Sequence, residues 1–154
     1  RFHITGLTHD ERGYPMLNSK AQDIKVRHIV DKINDNADKI IILEEEDIDG
    51  ADIVVISYGI TSRVAFRAVQ TAKQAGIKVG TIRLITVWPF PEKLINKLAK
   101  KVKAFVFPEI NYGQMVREVE RSSAGQTKVF PVHHCGGGVH NPDDIFKVIK
   151  EAAK

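Results

Sequence analysis

Between residues 40 and 132, short apolar runs alternate with helical stripes, and no other feature constrains the fold as strongly. The runs are Ile40–Leu43, Ile53–Ser57, Val79–Leu84, Ala104–Phe107 and Val129–Val132. Ile53–Ser57 reads IVVIS, a continuous apolar run of the kind that a strand covered on both faces requires. After Gly59, Ala65, Ala68, Val69 and Ala72 recur at i, i+3, i+4 and i+7, and Gly76 stops the helix. Leu94, Ile95 and Leu98 mark a second helix behind Pro91, and Met115, Val116 and Val119 a third. Asn141–Pro142–Asp143–Asp144 spells a last helix start: a cap, a proline at the first helical position and acids in the first turn. Pro131 lies inside the final run, which predicts an edge strand. Strands alternating with helices make βαβ units, a mainly parallel sheet of about five strands and helices on both faces.

Residues 1–18 hold Gly6, Gly13 and Pro15 without periodicity and read as a linker arm. Residues 19–154 read as the domain. It opens with a helix capped by Ser19, whose stripe is Val26, Ile29, Val30, Ile33 and Ala37. At 154 residues the chain has the length of one domain, and it begins at Arg1 with no initiator methionine, so it is expected to be a piece of a longer cytoplasmic polypeptide. The only cysteine is Cys135, which excludes a disulfide framework, a four-thiolate zinc site and an iron–sulfur cluster carried by this chain. No apolar run approaches the roughly 20 residues of a membrane span. The net charge is +4. Lysines gather at Lys97, Lys100, Lys101 and Lys103 and at Lys147, Lys150 and Lys154, near predicted helix ends where cations complement the helix dipole. With no interleaved aromatics and no nucleic-acid module spelled out, neither nucleic acid nor membrane is expected as a partner.

Ligands of open parallel sheets gather at the carboxyl ends of the strands. Three segments fall there. In Ser57–Arg63, Gly59 permits a sharp turn, Thr61 or Ser62 is placed to cap the helix, and Arg63 enters the first turn, where the dipole disfavours a cation. An anion there would remove the conflict; a plain cap with an exposed arginine is the alternative. In Pro108–Gln114, Glu109, Asn111, Tyr112 and Gln114 follow a strand directly and suit either a ligand or a neighbouring chain. In His133–His140, three histidines and Cys135 flank a glycine run. Adjacent side chains of an extended segment point apart, which disfavours one metal ion on His133 and His134. A partner-facing loop is the favoured reading, and no nucleophile–base arrangement is visible for Cys135.

Tyr58–Gly59, Arg83–Leu84, Trp88–Pro89–Phe90–Pro91 and Pro108–Glu109–Ile110–Asn111–Tyr112–Gly113–Gln114–Met115, in that order, resemble the C-terminal part of the alpha subunit of 2-oxoacid:ferredoxin oxidoreductases, most closely the 2-oxoglutarate type. Thr5–Gly13 resembles the segment joining that subunit's first domain to its second. The resemblance runs from Thr5 to Val148 and implies a fold similar to the transketolase C-terminal domain. That fold is a three-layer α/β/α sandwich whose first strand, Ile40–Leu43 here, is antiparallel to the others. It implies thiamine diphosphate, magnesium, iron–sulfur clusters and CoA for the whole enzyme, with a beta subunit and other subunits as partners and ferredoxin as acceptor. This chain lacks a Gly-Asp-Gly…Asn run and a CxxC, so no catalytic residue and no cofactor are expected on it, and no turnover in isolation. Gly59, Thr61, Ser62, Arg63, Glu109, Asn111 and Gln114 are the ligand or interface candidates. A small-molecule or anion-binding module, a metal-binding protein using His133, His134, Cys135 or His140, and the matching domain of transketolase or a pyruvate dehydrogenase beta subunit are the alternatives.

Overall fold

A computed structural model describes residues 5–154. They form two compact units, one ending at Ile40 and one spanning Ile41–Lys154. The first contains α1 (Ser19–Asn34) and α2 (Ala37–Ile40). The N-cap of α1 is Asn18, one residue earlier than expected, and its side-chain oxygen accepts from the Ala21 N–H at 2.8 Å. The division between units falls at Ile40. No residue of α1 is buried, and every member of the two buried clusters lies beyond Ile41.

The second unit is the sheet domain, with β1 (Leu43–Glu46), β2 (Ile53–Tyr58), α3 (Thr61–Gln74), β3 (Val79–Leu84), α4 (Glu92–Ala99), β4 (Ala104–Glu109), α5 (Val116–Ser123), β5 (Lys128–His133) and α6 (Pro142–Ala152). The strand order is β1-β3-β2-β4-β5. The pairs β2–β3, β2–β4 and β4–β5 are parallel, and β1 alone runs antiparallel, from Leu43 opposite Leu84 to Glu46 opposite Thr81. The antiparallel first strand implied by the family resemblance is present, but it lies at Leu43–Glu46 and not at Ile40–Leu43. The N–H groups of Lys39 and Ile40 bond back to the Asn36 carbonyl, so Ile40 closes a helical turn before the strand begins.

Helices cover both faces. On one, Ile95 and Leu98 of α4 and Val116 and Val119 of α5 pack on Val54, Ile56, Phe105 and Phe107. On the other, Ala65, Ala68, Val69 and Ala72 of α3 and Ile145 and Ile149 of α6 pack on Ile53, Val55, Val106 and Val132. The alternation of faces along β2 and β4 therefore divides the core into two layers. β5 is an edge strand, as its proline requires.

At Gly80 two backbone segments pass close together. A Cβ on Gly80 would lie 2.5 Å from the Asp47 carbonyl oxygen and 2.8 Å from the Ile48 Cα. The link from β1 to β2 thus crosses directly over β3, and only glycine leaves room for it.

Candidate functional site

At the carboxyl end of β4, Glu109 has no exposed surface. Its Oε1 accepts from the Val116 N–H at 3.1 Å, and its Oε2 from the Met115 N–H at 3.0 Å. A side chain six residues upstream thus supplies the cap that α5 lacks locally, since Met115 at the N-cap makes no side-chain bond. Its carboxyl charge also faces the positive end of the helix dipole. Asn111 closes the loop: its Oδ1 accepts from the N–H groups of Gly113 and Gln114 at 2.8 and 3.0 Å. Its Nδ2 donates to the Tyr58 hydroxyl at 3.2 Å, and that hydroxyl lies 3.5 Å from Glu109 Oε2.

Tyr58 ends β2 and leans on Phe107, with ring centroids 6.1 Å apart. Burial pushes its phenol pKa above the ordinary tyrosine value, and the nearby negative charge of Glu109 adds to the rise. The ring therefore stays neutral at physiological pH and serves as a hydrogen-bonding post between β2 and the loop after β4.

Gly113 has a φ of +98°, and a Cβ there would meet His133 Cε1 at 2.9 Å. The loop after β4 is thereby seated against the end of β5. Between the two loops opens a shallow cleft of about 830 Å³, lined by Asn111, Tyr112, Gln114, Arg117, Cys135 and Gly137. Tyr112 is 83% exposed at its rim. His140 is buried with Nε2 2.8 Å from the Val132 carbonyl, and its ring lies tilted against that of His134, 5.2 Å between centroids. Among the described residues no three His, Cys, Asp or Glu side chains gather as a metal would need.

The other candidates lie on the opposite face. Gly59 turns the chain after β2 with a φ of +58°. Thr61 and Ser62 are buried, but neither caps α3; the N-cap position is Ile60, which has no side-chain bond. Ser62 pairs instead with the Ser57 hydroxyl at 3.2 Å, because both side chains point into the same packed space below the turn. Arg63 sits exposed in the first turn of α3 and lines a cleft of about 460 Å³ with Ser57, Ser62, Glu44, Glu46 and Arg83. Arg83 is held by Glu44 at 3.0 Å. The N–H groups of Ser62 and Arg63 turn inward to the carbonyls of Gly59 and Ile60, at 3.3 and 3.1 Å. The expected residues therefore separate into two groups at one end of the sheet: Glu109, Asn111 and Gln114 on the α5 side, Thr61, Ser62 and Arg63 on the α3 side.

Sequence reasoning omitted Tyr58 and Arg117 from the candidates. Tyr58 was within reach: strand alternation places it on the same face as Ile56, and parallel pairing puts Phe107 and Glu109 on that face too.

The same segments are matched by a protein-family model for the pyruvate:ferredoxin oxidoreductase core domain II, over residues 51–145. The chain belongs to this family. The chain is 47% identical over 147 residues to the 2-oxoglutarate synthase subunit KorA of Methanocaldococcus jannaschii, covering 96% of this chain and 39% of that one. It is 42% identical over 110 residues to the ketoisovalerate oxidoreductase subunit VorB of Methanothermobacter marburgensis, covering 71% of this chain and 31% of the relative. Among solved structures, a 2-oxoglutarate:ferredoxin oxidoreductase from Magnetococcus marinus, with 2-oxoglutarate, coenzyme A and succinyl-CoA bound, superposes with a TM-score of 0.81 at 28% identity, over 99% of this chain and 27% of that one. A split-gene transketolase, an inactive beta4 tetramer, shares the fold at a TM-score of 0.60 and 18% identity, over 68% of this chain and 39% of that one. The chain spans about two fifths of the length of the KorA relative.

An iron–sulfur cluster does not fit these residues: one thiol stands where a cluster takes about four. The acids at the sheet's carboxyl end are likewise committed, Glu109 to the start of α5 and Glu44 to Arg83.

Proposed function

We propose that the chain is a non-catalytic domain of the alpha subunit of a 2-oxoacid:ferredoxin oxidoreductase of the 2-oxoglutarate type, working in the cytoplasm. In that role it assembles with the beta subunit and the other subunits and shapes the approach of the 2-oxoacid and CoA during oxidative decarboxylation to an acyl-CoA. Thiamine diphosphate, magnesium and the iron–sulfur clusters belong to the partner polypeptides, and ferredoxin meets the assembly there. The reading is supported by the KorA relative, matched over 96% of this chain, and by the 2-oxoglutarate enzyme matched over 99% of it.

The observation that carries the role is the frame made by Tyr58, Glu109 and Asn111. It spends buried hydrogen bonds on holding one short loop, whose outer residues Tyr112 and Gln114 then face outward. A loop pinned in this way presents fixed polar groups to a substrate or a subunit with little ordering cost on binding. Arg63, exposed and with no ion pair among the described residues, supplies a second contact on the α3 side.

Reconstitution of a full-length alpha subunit with its partner subunits tests the role. Asn111→Ala and Arg63→Ala are expected to raise the KM for CoA or the 2-oxoacid, or to weaken assembly. A lost hydrogen bond worth about 1 kcal/mol predicts a change of about fivefold. If both variants leave assembly and both KM values unchanged, the domain does not shape the approach. The 154-residue chain alone, given thiamine diphosphate, magnesium and an artificial electron acceptor, is expected to form no acyl-CoA. Product there would overturn the non-catalytic assignment.

A further inference from the structure

Lys128 opens β5 at the amino ends of the strands, on the rim opposite the candidate site. The last turns of α6 return to the same place. Lys128, Lys147, Lys150 and Lys154 line one cleft of about 880 Å³, together with Ile77 and Phe130. Lys147 is paired with Asp144 at 3.0 Å, and Lys150 lies over the Phe146 ring at 5.0 Å. Lys128, Lys150 and Lys154 have no carboxylate partner among the described residues. The dipole of α6 accounts for cations in its own last turn, but Lys128 stands on a strand and gains nothing from it. Like charges gathered in one cleft repel each other, and an anionic surface seated between them would relieve that.

We propose that this cleft docks a carboxylate-rich segment of a partner protein. Two observations favour a protein over a nucleic acid. Half-buried Ile77 and Phe130 give the cleft apolar walls, which suit side-chain stems and not a phosphate backbone. The aromatic ring that lines the cleft, Phe130, is half-buried and offers no open face for a base to stack on.

The contact runs through side chains and not through added strand pairing. The His134 N–H points to the Glu109 carbonyl of β4, so by the two-residue period Val129, Pro131 and His133 turn their backbone groups to the outer edge. Pro131 then leaves the middle of that edge without a donor, which blocks a paired strand. The surface is independent of the role proposed above and stands or falls without it.

The test uses the 154-residue chain and a fluorescent oligoglutamate peptide at low salt, with amide shifts mapped by NMR. Binding is expected to perturb Lys128 and the last two turns of α6, and to weaken about tenfold or more in K128E/K150E. The milder K128A/K150A, checked by circular dichroism for an unchanged fold, is expected to weaken it by a smaller factor. The proposal is overturned if K128E/K150E binds as the parent does, or if the shifts map to another surface. A short DNA duplex that binds more tightly than the peptide would overturn it in favour of nucleic acid. Self-association through the exposed acids Glu45 and Asp49 of a second copy, lost in E45K/D49K, would overturn it in favour of that copy.

Discussion

A carboxyl group without exposed surface is stable only where donors meet it, and Glu109 meets two backbone N–H groups and lies near the Tyr58 hydroxyl. Glu109→Ala would strand the buried Val116 N–H and the Met115 N–H together. The expected cost is about 2–4 kcal/mol, read as a lower urea midpoint with an unchanged slope. The sequence placed Glu109, Asn111 and Gln114 in one loop, because all three follow a strand ended by Pro108. It could not show which of them faces inward. That depended on where α5 begins, and α5 begins within reach of Glu109 because Asn111 and Gly113 turn the chain back. The Ser57–Ser62 pair is a similar case. Ser57 was legible as the end of a strand and Ser62 as a cap type, but burial beneath α3 directs them to each other.

At the scale of elements, the least forgiving junction is the passage of the Asp47–Ile48 backbone over Gly80. A methyl group at 2.5 Å from a carbonyl oxygen cannot be relieved by a side-chain rotation. Gly80→Ala should therefore displace the β1–β2 link and loosen the β1–β3 pairing. The expected loss is about 1–3 kcal/mol, with faster amide exchange along Glu44–Glu46 than in the parent. Helix and strand types were legible throughout the sheet domain, because apolar spacing differs cleanly between periods of 3.6 and 2. The start of β1 was not. Ile40–Leu43 is apolar throughout, and nothing in its spacing shows that Asn36 closes a helical turn through Ile40 before the strand.

At the scale of the molecule, both buried clusters lie within Ile41–Lys154, and α1 contributes no buried residue. A fragment comprising residues 41–154 should accordingly keep the sheet and one cooperative melting transition. A calorimetric midpoint within a few degrees of the parent is the expected result, and a non-cooperative melt would show that residues up to Ile40 belong to the folding unit. The sequence reading opens the domain at residue 19, on the apolar stripe of α1. Its residues Ile24, Val26, Ile29 and Val30 are 46–59% exposed.

By itself, the sequence determined the alternation of strands and helices, the edge position of the strand carrying Pro131, the exclusion of a cluster by a single thiol, and the family. Each of these follows from local chemistry: apolar spacing, a missing N–H, a count of ligands, or the order of short motifs. The tertiary structure decided the rest. It separated the candidate residues onto two faces of the sheet, made Glu109 the cap of a helix six residues away, brought Tyr58 to Asn111 across 53 positions, and gathered Lys128 with the lysines of α6. Those outcomes depend on strand order and helix return. A crossover connection sets both, and no local pattern of residues encodes where it ends.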